Sequence, residues 1–344
     1  YTGKPYQYLF TDSKTNMVVK LVSPLVILTG KSYFLSSTLL AIFSFYGVWR
    51  LFQTFYRYFP NLGRKFAISI LFMPSVVFWG SGILKDTFTL AGTCLFVYAI
   101  DQMIIRKNYG LHGIVHALLG GFLIISIKPY IFLILLPGTL FWVFFKRISA
   151  YSGSLFKFFL LPIILVVVII GSVGVFSFFS SSFEKFSIDQ ALETAAVTQN
   201  DLKQEYYDGS SFDIGSFDGS IGSAVRLMPN AILAGLFRPF LWDARSIVTL
   251  FAAIENTVIL LLFLGTIIRI GPLRFIDYQF KEPIAFFCFF FAIYFAFTIG
   301  LSTSNFGALI RFKIPLVPFF LCGLFIIREM GIRRRNRKKK LPLA

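Results

Sequence analysis

Long apolar stretches separated by short, mostly basic connections constrain the fold of this chain more than any single motif. A helix needs about 20 predominantly apolar residues to cross a bilayer. By that standard nine stretches read as spans: 34–56, 66–83, 87–105, 112–127, 129–146, 157–179, 246–270, 283–300 and 307–328. The expected fold is therefore an all-α polytopic membrane protein. Composition agrees, because only 14% of residues are charged, whereas a soluble domain carries about 25%. The pairs 66–83/87–105 and 112–127/129–146 are short and closely spaced, so each reads as a hairpin or a broken helix.

Orientation follows from the tendency of Lys and Arg to stay on the cytoplasmic side. The tail Arg333-Arg334-Arg335-Asn336-Arg337-Lys338-Lys339-Lys340 is expected inside. Counting backward puts Arg57/Arg64/Lys65, Arg106/Lys107, Lys146/Arg147/Lys157 and Arg269/Arg274/Lys281 inside as well. The same count puts residues 1–33, Lys85-Asp86, Lys128, the segment 180–245 and residues 302–306 outside. Every inner connection is then basic, which makes the nine-span count self-consistent. The chain opens at Tyr1, and with residues 1–33 outside, a preceding helix is expected that would bring the total to ten. The expected layout is an extracytoplasmic segment (1–33), a six-span bundle (34–179), an extracytoplasmic loop (180–245), a three-span bundle (246–328) and a basic cytoplasmic tail (329–344).

The formal charge of +17 belongs mainly to cytoplasmic loops and the tail, where orientation and anionic lipid account for it; nucleic acid is not an expected partner. Cys94, Cys288 and Cys322 fall within expected spans and read as small apolar fillers. The segment 180–222 holds eight of the sixteen acidic residues, which marks it as the one large non-membrane segment. Its first half, Ser187 to Tyr206, has helix-like spacing. Its second half, 207–219, is punctuated by glycine and reads as a mobile loop, either a lid over an outer-face site or a solvated connector. The amphipathic stretch from Ile221 to Trp242 reads as an interfacial or re-entrant helix, and Asn16 to Leu28 as a second interfacial helix.

Charges at membrane depth are costly and tend to line an interior or a substrate path. Lys85, Lys128, Arg238, Arg311 and Lys313 lie beside or inside apolar stretches, all at the outer face on this map. Together they suit an anionic ligand such as a lipid-linked pyrophosphate. Pro74, Gly80 and Gly82 break a span just before Lys85-Asp86, and helix ends exposed by such a break bind ions or phosphates. Asp86 reads equally as a helix cap and Lys85 as a snorkelling side chain. Lys128 sits in a tight turn before Pro129-Tyr130, as a donor or an interfacial anchor. Arg238 suits a forked hold on phosphate oxygens, with Asp243 close behind it. Glu255, beside Asn256, needs a partner in hydrocarbon, for which Arg311 is a candidate. Arg311 and Lys313, two residues apart, cannot share one helix face. His112 and His116 have metal-ligand spacing without a third ligand and read as interfacial; no metal is expected. An intramembrane pair between Asp101 and Arg50 is a further option.

The stretches FWGSGILKD (78–86), IKPYI (127–131), FRPFLWD (237–243) with Glu255-Asn256, and NFGALIRFKIPLVPF (305–319) occur in that order, with the large outer loop before the last three spans. Together they resemble bacterial membrane proteins of surface-polysaccharide biosynthesis, the EpsG/Wzy-like repeat-unit polymerases and the GT-C-type glycosyltransferases. The resemblance covers about 70–318. It implies a multi-pass protein of the bacterial inner membrane acting at the outer face on polyprenyl-pyrophosphate-linked sugars, among membrane lipids and other polysaccharide-assembly proteins, without a cofactor. By similarity Arg238 and Arg311 would hold the pyrophosphate, with Lys85, Lys128 and Lys313 as further donors. Such cations stabilise the charge that develops on the leaving group. One of Asp12, Asp86, Asp243 or Glu255 would deprotonate the acceptor hydroxyl. GT-C enzymes place a catalytic acid in their first outer loop, where this chain offers Asp12. The rival readings are a transporter or flippase of the same lipid-linked glycan and a non-catalytic envelope-assembly protein.

Overall fold

A computed structural model describes residues 13–148, 188–202 and 211–340. Asp12, the expected span 157–179 and the loop positions 180–187 and 203–210 lie outside the described residues. In chain order the elements are α1 (Ser13–Leu28), α2 (Tyr33–Tyr58), a short turn and α3 (Gly63–Phe66), a π turn (Ala67–Leu71), α4 (Pro74–Trp79), α5 (Lys85–Ile100) with a π extension (Asp101–Ile105), α6 (Leu111–Ile127) and α7 (Pro129–Ile148). They continue as α8 (Ile188–Asp201), α9 (Ile221–Phe237), α10 (Ile247–Ile270), α11 (Pro272–Lys281), α12 (Pro283–Ser302), α13 (Phe306–Phe312) and α14 (Leu316–Lys340). Among the described residues the only strand-like pairing is an isolated bridge between Ser211 and Asn305.

Four of these helices are long and apolar enough to cross a membrane: α2, α5 with its extension, α10 and α12. A fifth span results if α13 and α14, bent by 61°, count as one. Helices α6, α9 and the apolar part of α7 are shorter. The chain thus has the several apolar helices of a multi-pass membrane protein.

Two expected spans differ from the helices found. The stretch 66–83 is not one helix but α3, a π turn and α4, followed by bends up to Leu84. Pro74 supplies no N–H and pushes the preceding residue out of the helical region, and Met73 is extended (φ −68°, ψ 123°). The stretch 307–328 breaks between α13 and α14 for the same reason, at Pro315. The proline-free interiors of α10 and α12 stay straight enough to match their expected limits within two residues.

The chain forms two compact units. In the first, residues 1–58 and 70–132, α5 packs against α2 and α6 through glycine. A Cβ on Gly47 would lie 2.9 Å from Ala91 backbone atoms, and one on Gly120 would lie 2.7 Å from the Gly92 carbonyl. Where lipid tails are as apolar as leucine, helices associate by close packing, and small residues let the backbones meet. The inner face of α1 (Val18, Val22) joins Leu40, Phe88, Leu123 and Ile127 in one buried cluster.

In the second unit, residues 59–69 and 133–344, α9 crosses α12 by the same device. Ala231 and Gly235 face Ala296 and Gly300, and a Cβ on Gly300 would sit 2.0 Å from the Ala231 carbonyl. The segment 221–237, part of the stretch expected to be an interfacial or re-entrant helix, packs along α12. Behind it α12 and α14 interlock through aromatic rings, with Phe319 edge-on to Phe287 (5.6 Å) and Phe291 (4.8 Å). The glycine-rich stretch 211–219 also folds down. Phe212, Ile214 and Phe217 are buried, while Asp213 and Asp218 turn back to accept from the backbone N–H of Gly215 and Ser220.

Candidate functional site

In the first unit the break after α4 positions one ion pair. Thr87 staples the bend by donating to the carbonyls of Gly82 (2.6 Å) and Trp79 (3.4 Å). Leu84, extended, is the cap of α5, so Asp86 is not the cap but lies in the first turn, where the helix dipole favours a carboxylate. Lys128 closes the C-terminal end of α6 and donates its ammonium directly to Asp86 Oδ1. Their side chains are only 10% and 3% exposed. The Tyr130 phenol lies within electrostatic reach of Asp86, and Lys85 is half-buried one residue away. The arrangement is a sealed acid–base pair. Removing two charges from water is offset only when each has a close partner.

In the second unit the site is built around the end of α9. Arg238 follows Phe237 and pairs with Asp243, Nε to Oδ2 at 3.3 Å. Asp243 Oδ2 also accepts from the Phe240 N–H at 2.9 Å, which fixes the carboxylate. Three rings surround the guanidinium: Phe212 at 5.2 Å, Phe306 at 5.7 Å and Phe240 at 5.9 Å. Phe212 and Phe306 stack on each other at 4.9 Å, held by the Phe212 N–H on the Ser304 carbonyl. Arg238 keeps 25% of its side chain exposed. It is thus a cation with a carboxylate partner, an aromatic surround and an open side.

Lys313 is a different kind of cation. It sits at the break between α13 and α14, 1% exposed. Its ammonium donates to the Leu236 carbonyl (3.2 Å), the Arg238 carbonyl (3.1 Å) and Asn256 Oδ1 (2.6 Å). An ammonium has three protons, and all three are used. Asn256 in turn donates to the Pro239 carbonyl at 3.3 Å. Lys313 and Asn256 therefore clamp the backbone on both sides of Arg238. Glu255, half-buried, lies within electrostatic reach of Lys313. Arg311 is half-buried, with its guanidinium 5.3 Å above the Phe312 ring.

The residues singled out from sequence thus fall into two sets. Asp86 meets Lys128 beside Lys85 in one unit; Arg238 meets Asp243, with Lys313, Glu255 and Arg311, in the other. Asp12 lies outside the described residues. The pairing of Arg50 with Asp101 is corrected: Asp101 takes Arg106 Nε at 3.0 Å and the Tyr58 hydroxyl at 2.5 Å. Arg106, only five residues on from Asp101, takes the carboxylate, and Arg50 meets Gln53, Tyr46 and His112 instead.

Three features escaped the sequence reading. The aromatic surround of Arg238 is drawn from three distant segments, so no local pattern announces it. Asn256 was visible as a polar amide inside a hydrocarbon span. The run from Ser302 to Asn305 between apolar stretches marked the third: Thr303 and Gln199 are buried with polar side-chain atoms that have no hydrogen-bond partner among the described residues. Compared with known proteins, the chain matches no protein-family model, no curated protein and no solved structure.

Proposed function

We propose that this protein is an integral membrane glycosyltransferase, of the polysaccharide-polymerase kind, acting on polyprenyl-pyrophosphate-linked sugars. In this reading the chain has nine spans, and the Arg238 site lies at the extracytoplasmic face of a bacterial inner membrane, with the basic tail in the cytoplasm and other polysaccharide-assembly proteins nearby. The supporting observation is the open, aromatic-lined Arg238–Asp243 pair. Pyrophosphate oxygens compete with Asp243 for the guanidinium, because Arg binds both in the same forked geometry. A pyrophosphate that wins Arg238 frees the Asp243 carboxylate to take the proton of an acceptor hydroxyl. The guanidinium then faces the leaving group, where negative charge develops. Phe212, Phe240 and Phe306 offer apolar faces for a sugar ring. By the resemblance Arg311 supplies a second cation, and Lys313 serves the site by fixing the backbone of Arg238.

Complementation with full-length variants tests this. Arg238→Gln and Asp243→Asn are expected to abolish long glycan chains at normal membrane protein levels, with lipid-linked repeat units accumulating at the outer face. Wild-type chain length in both variants would overturn the reading.

The buried Asp86–Lys128 pair favours a second reading, a transporter or flippase of the same lipid-linked glycan, since intramembrane acid–base pairs also mark proton and substrate paths. Under that reading Asp86→Asn stalls lipid-linked units at the inner face. Under the first reading it acts on stability alone.

A further inference from the structure

The cytoplasmic-side end of α2 on the charge map carries two arginines that the proposed site does not use. Arg50 donates from Nη1 to Gln53 Oε1 and from Nη2 to the Tyr46 hydroxyl and His112 Nε2, each at 3.0 Å. Its Nε–H is buried without a hydrogen-bond partner. The guanidinium also lies 4.8 Å from the Tyr46 ring and 5.2 Å from the Tyr98 ring. Arg57, two turns on and exposed, lies over the same Tyr98 ring at 5.8 Å.

These contacts use acceptors on the side chains around Arg50. An arginine has no acceptor, so His112 Nε2 must carry a lone pair. Tyr46 accepts from Arg50 and shares a further hydrogen bond with His116 Nε2 at 2.7 Å. His116 then donates from Nδ1 to the His112 carbonyl at 2.5 Å. None of the groups that accept from Arg50 is a carboxylate. The nearby carboxylate, Asp101, is taken by Arg106 and Tyr58. Among the described residues neither Arg50 nor Arg57 has a carboxylate partner. Two guanidinium charges on one tyrosine ring repel each other, and an apolar setting strengthens that repulsion. An anion between them relieves it.

The face beside them says which anion. Phe45, Trp49, Phe52 and Tyr56 recur at helical spacing on α2 and form a continuous ladder, with ring centroids 6.2, 5.3 and 5.7 Å apart. Phe45, Trp49 and Tyr56 are exposed. A row of aromatic rings flanking a row of cations matches an amphiphile, with a chain along the rings and a phosphate on the arginines. Tyrosine and tryptophan concentrate at the headgroup level of membranes. We propose that this end of α2 is a binding site for an anionic glycerophospholipid: Arg50 and Arg57 hold the phosphate above Tyr98, and the ladder from Phe45 to Tyr56 receives an acyl chain.

The test is native mass spectrometry of the full-length protein released from nanodiscs of phosphatidylcholine mixed with phosphatidylglycerol. Phosphatidylglycerol is expected to be retained preferentially. Each of Arg50→Gln and Arg57→Gln should weaken that preference about five-fold, the effect of one basic residue at an anionic surface. Arg269→Gln, a basic residue in the last turn of α10, should leave it unchanged. Arg57 makes no structural hydrogen bond among the described residues, so its variant remains informative if Arg50→Gln misfolds. Equal retention of the two lipids, or wild-type preference in Arg57→Gln, would overturn the proposal. So would displacement of the bound lipid by inorganic phosphate, which would make the ligand a free anion.

Discussion

Lys128 and Lys313 are both buried lysines at the break between two apolar helices, yet their surroundings differ in kind. Lys128 meets a carboxylate, Asp86, and the two charges cancel inside the first unit. Lys313 meets two backbone carbonyls and the Asn256 amide. The first lysine is tied to a partner of opposite charge. The second is tied to a stretch of chain, and that chain carries Arg238. An ion pair and a carbonyl cage therefore satisfy the same ammonium with different consequences. Losing one member of the pair strands a charge, whereas losing the caged lysine releases a backbone segment.

The largest effect should follow from Asp86→Leu, which leaves the buried Lys128 ammonium without its carboxylate. Breaking a buried pair from one side is destabilising by about 3–5 kcal/mol. Thermal unfolding of the purified full-length protein reads this directly. A melting temperature equal to wild type would mean that Lys128 finds another partner, and the contrast with Lys313 would collapse.

Lys313→Met comes next, at about 1–3 kcal/mol. Three acceptors lose their donor, but the desolvation of a buried ammonium disappears with it. The sharper readout is functional. If Lys313 positions Arg238, the variant should lower glycan-chain formation as Arg238→Gln does, while added salt rescues neither. An inactive Arg238→Gln beside a fully active Lys313→Met would remove the positioning role.

How far these sites were legible in the sequence follows from the same chemistry. Spans whose interiors lack proline, such as α10 and α12, were readable nearly to the residue, because apolar length alone determines them. The stretch around Pro74 was not, since a proline both ends one helix and leaves the next free to start several residues later. Lys128 and Asp86 were each visible as charges at helix breaks. Their pairing was not, because 42 residues separate them and local spacing carries no long-range information. The spacing of Arg311 and Lys313 announced two different settings, and Arg311 is half-buried on α13 while Lys313 is buried in the turn that follows it. That Lys313 points inward depends on the bend at Pro315 and on carbonyls 75 and 77 residues away.

A double change, Asp86→Leu with Lys128→Leu, should return stability to within about 1 kcal/mol of wild type, since apolar replacement of a whole buried pair is often neutral. Lys313→Met with Asn256→Leu should not recover in this way, because the carbonyls of Leu236 and Arg238 stay in place and belong to the main chain. The difference between these two double variants, read as melting temperatures on one preparation, is the direct measure of pair against cage. Equal recovery would mean the carbonyls find other donors and the cage adds nothing beyond the Lys313–Asn256 bond.

Arg238→Gln should change stability least of all, by about 0–1 kcal/mol, because the Arg238–Asp243 pair is partly open to solvent and such pairs contribute little. Asp243 keeps its bond from the Phe240 N–H, and Gln retains an amide that reaches toward the same carboxylate. A structural arginine would show its loss in the melting temperature, whereas a ligand-binding one shows it in the product. A variant that melts like wild type and yet makes no long glycan would place the weight of Arg238 on the ligand. One that melts several degrees lower with chain length intact would make the aromatic surround a packing device, and the anion site would have to be sought at Arg311.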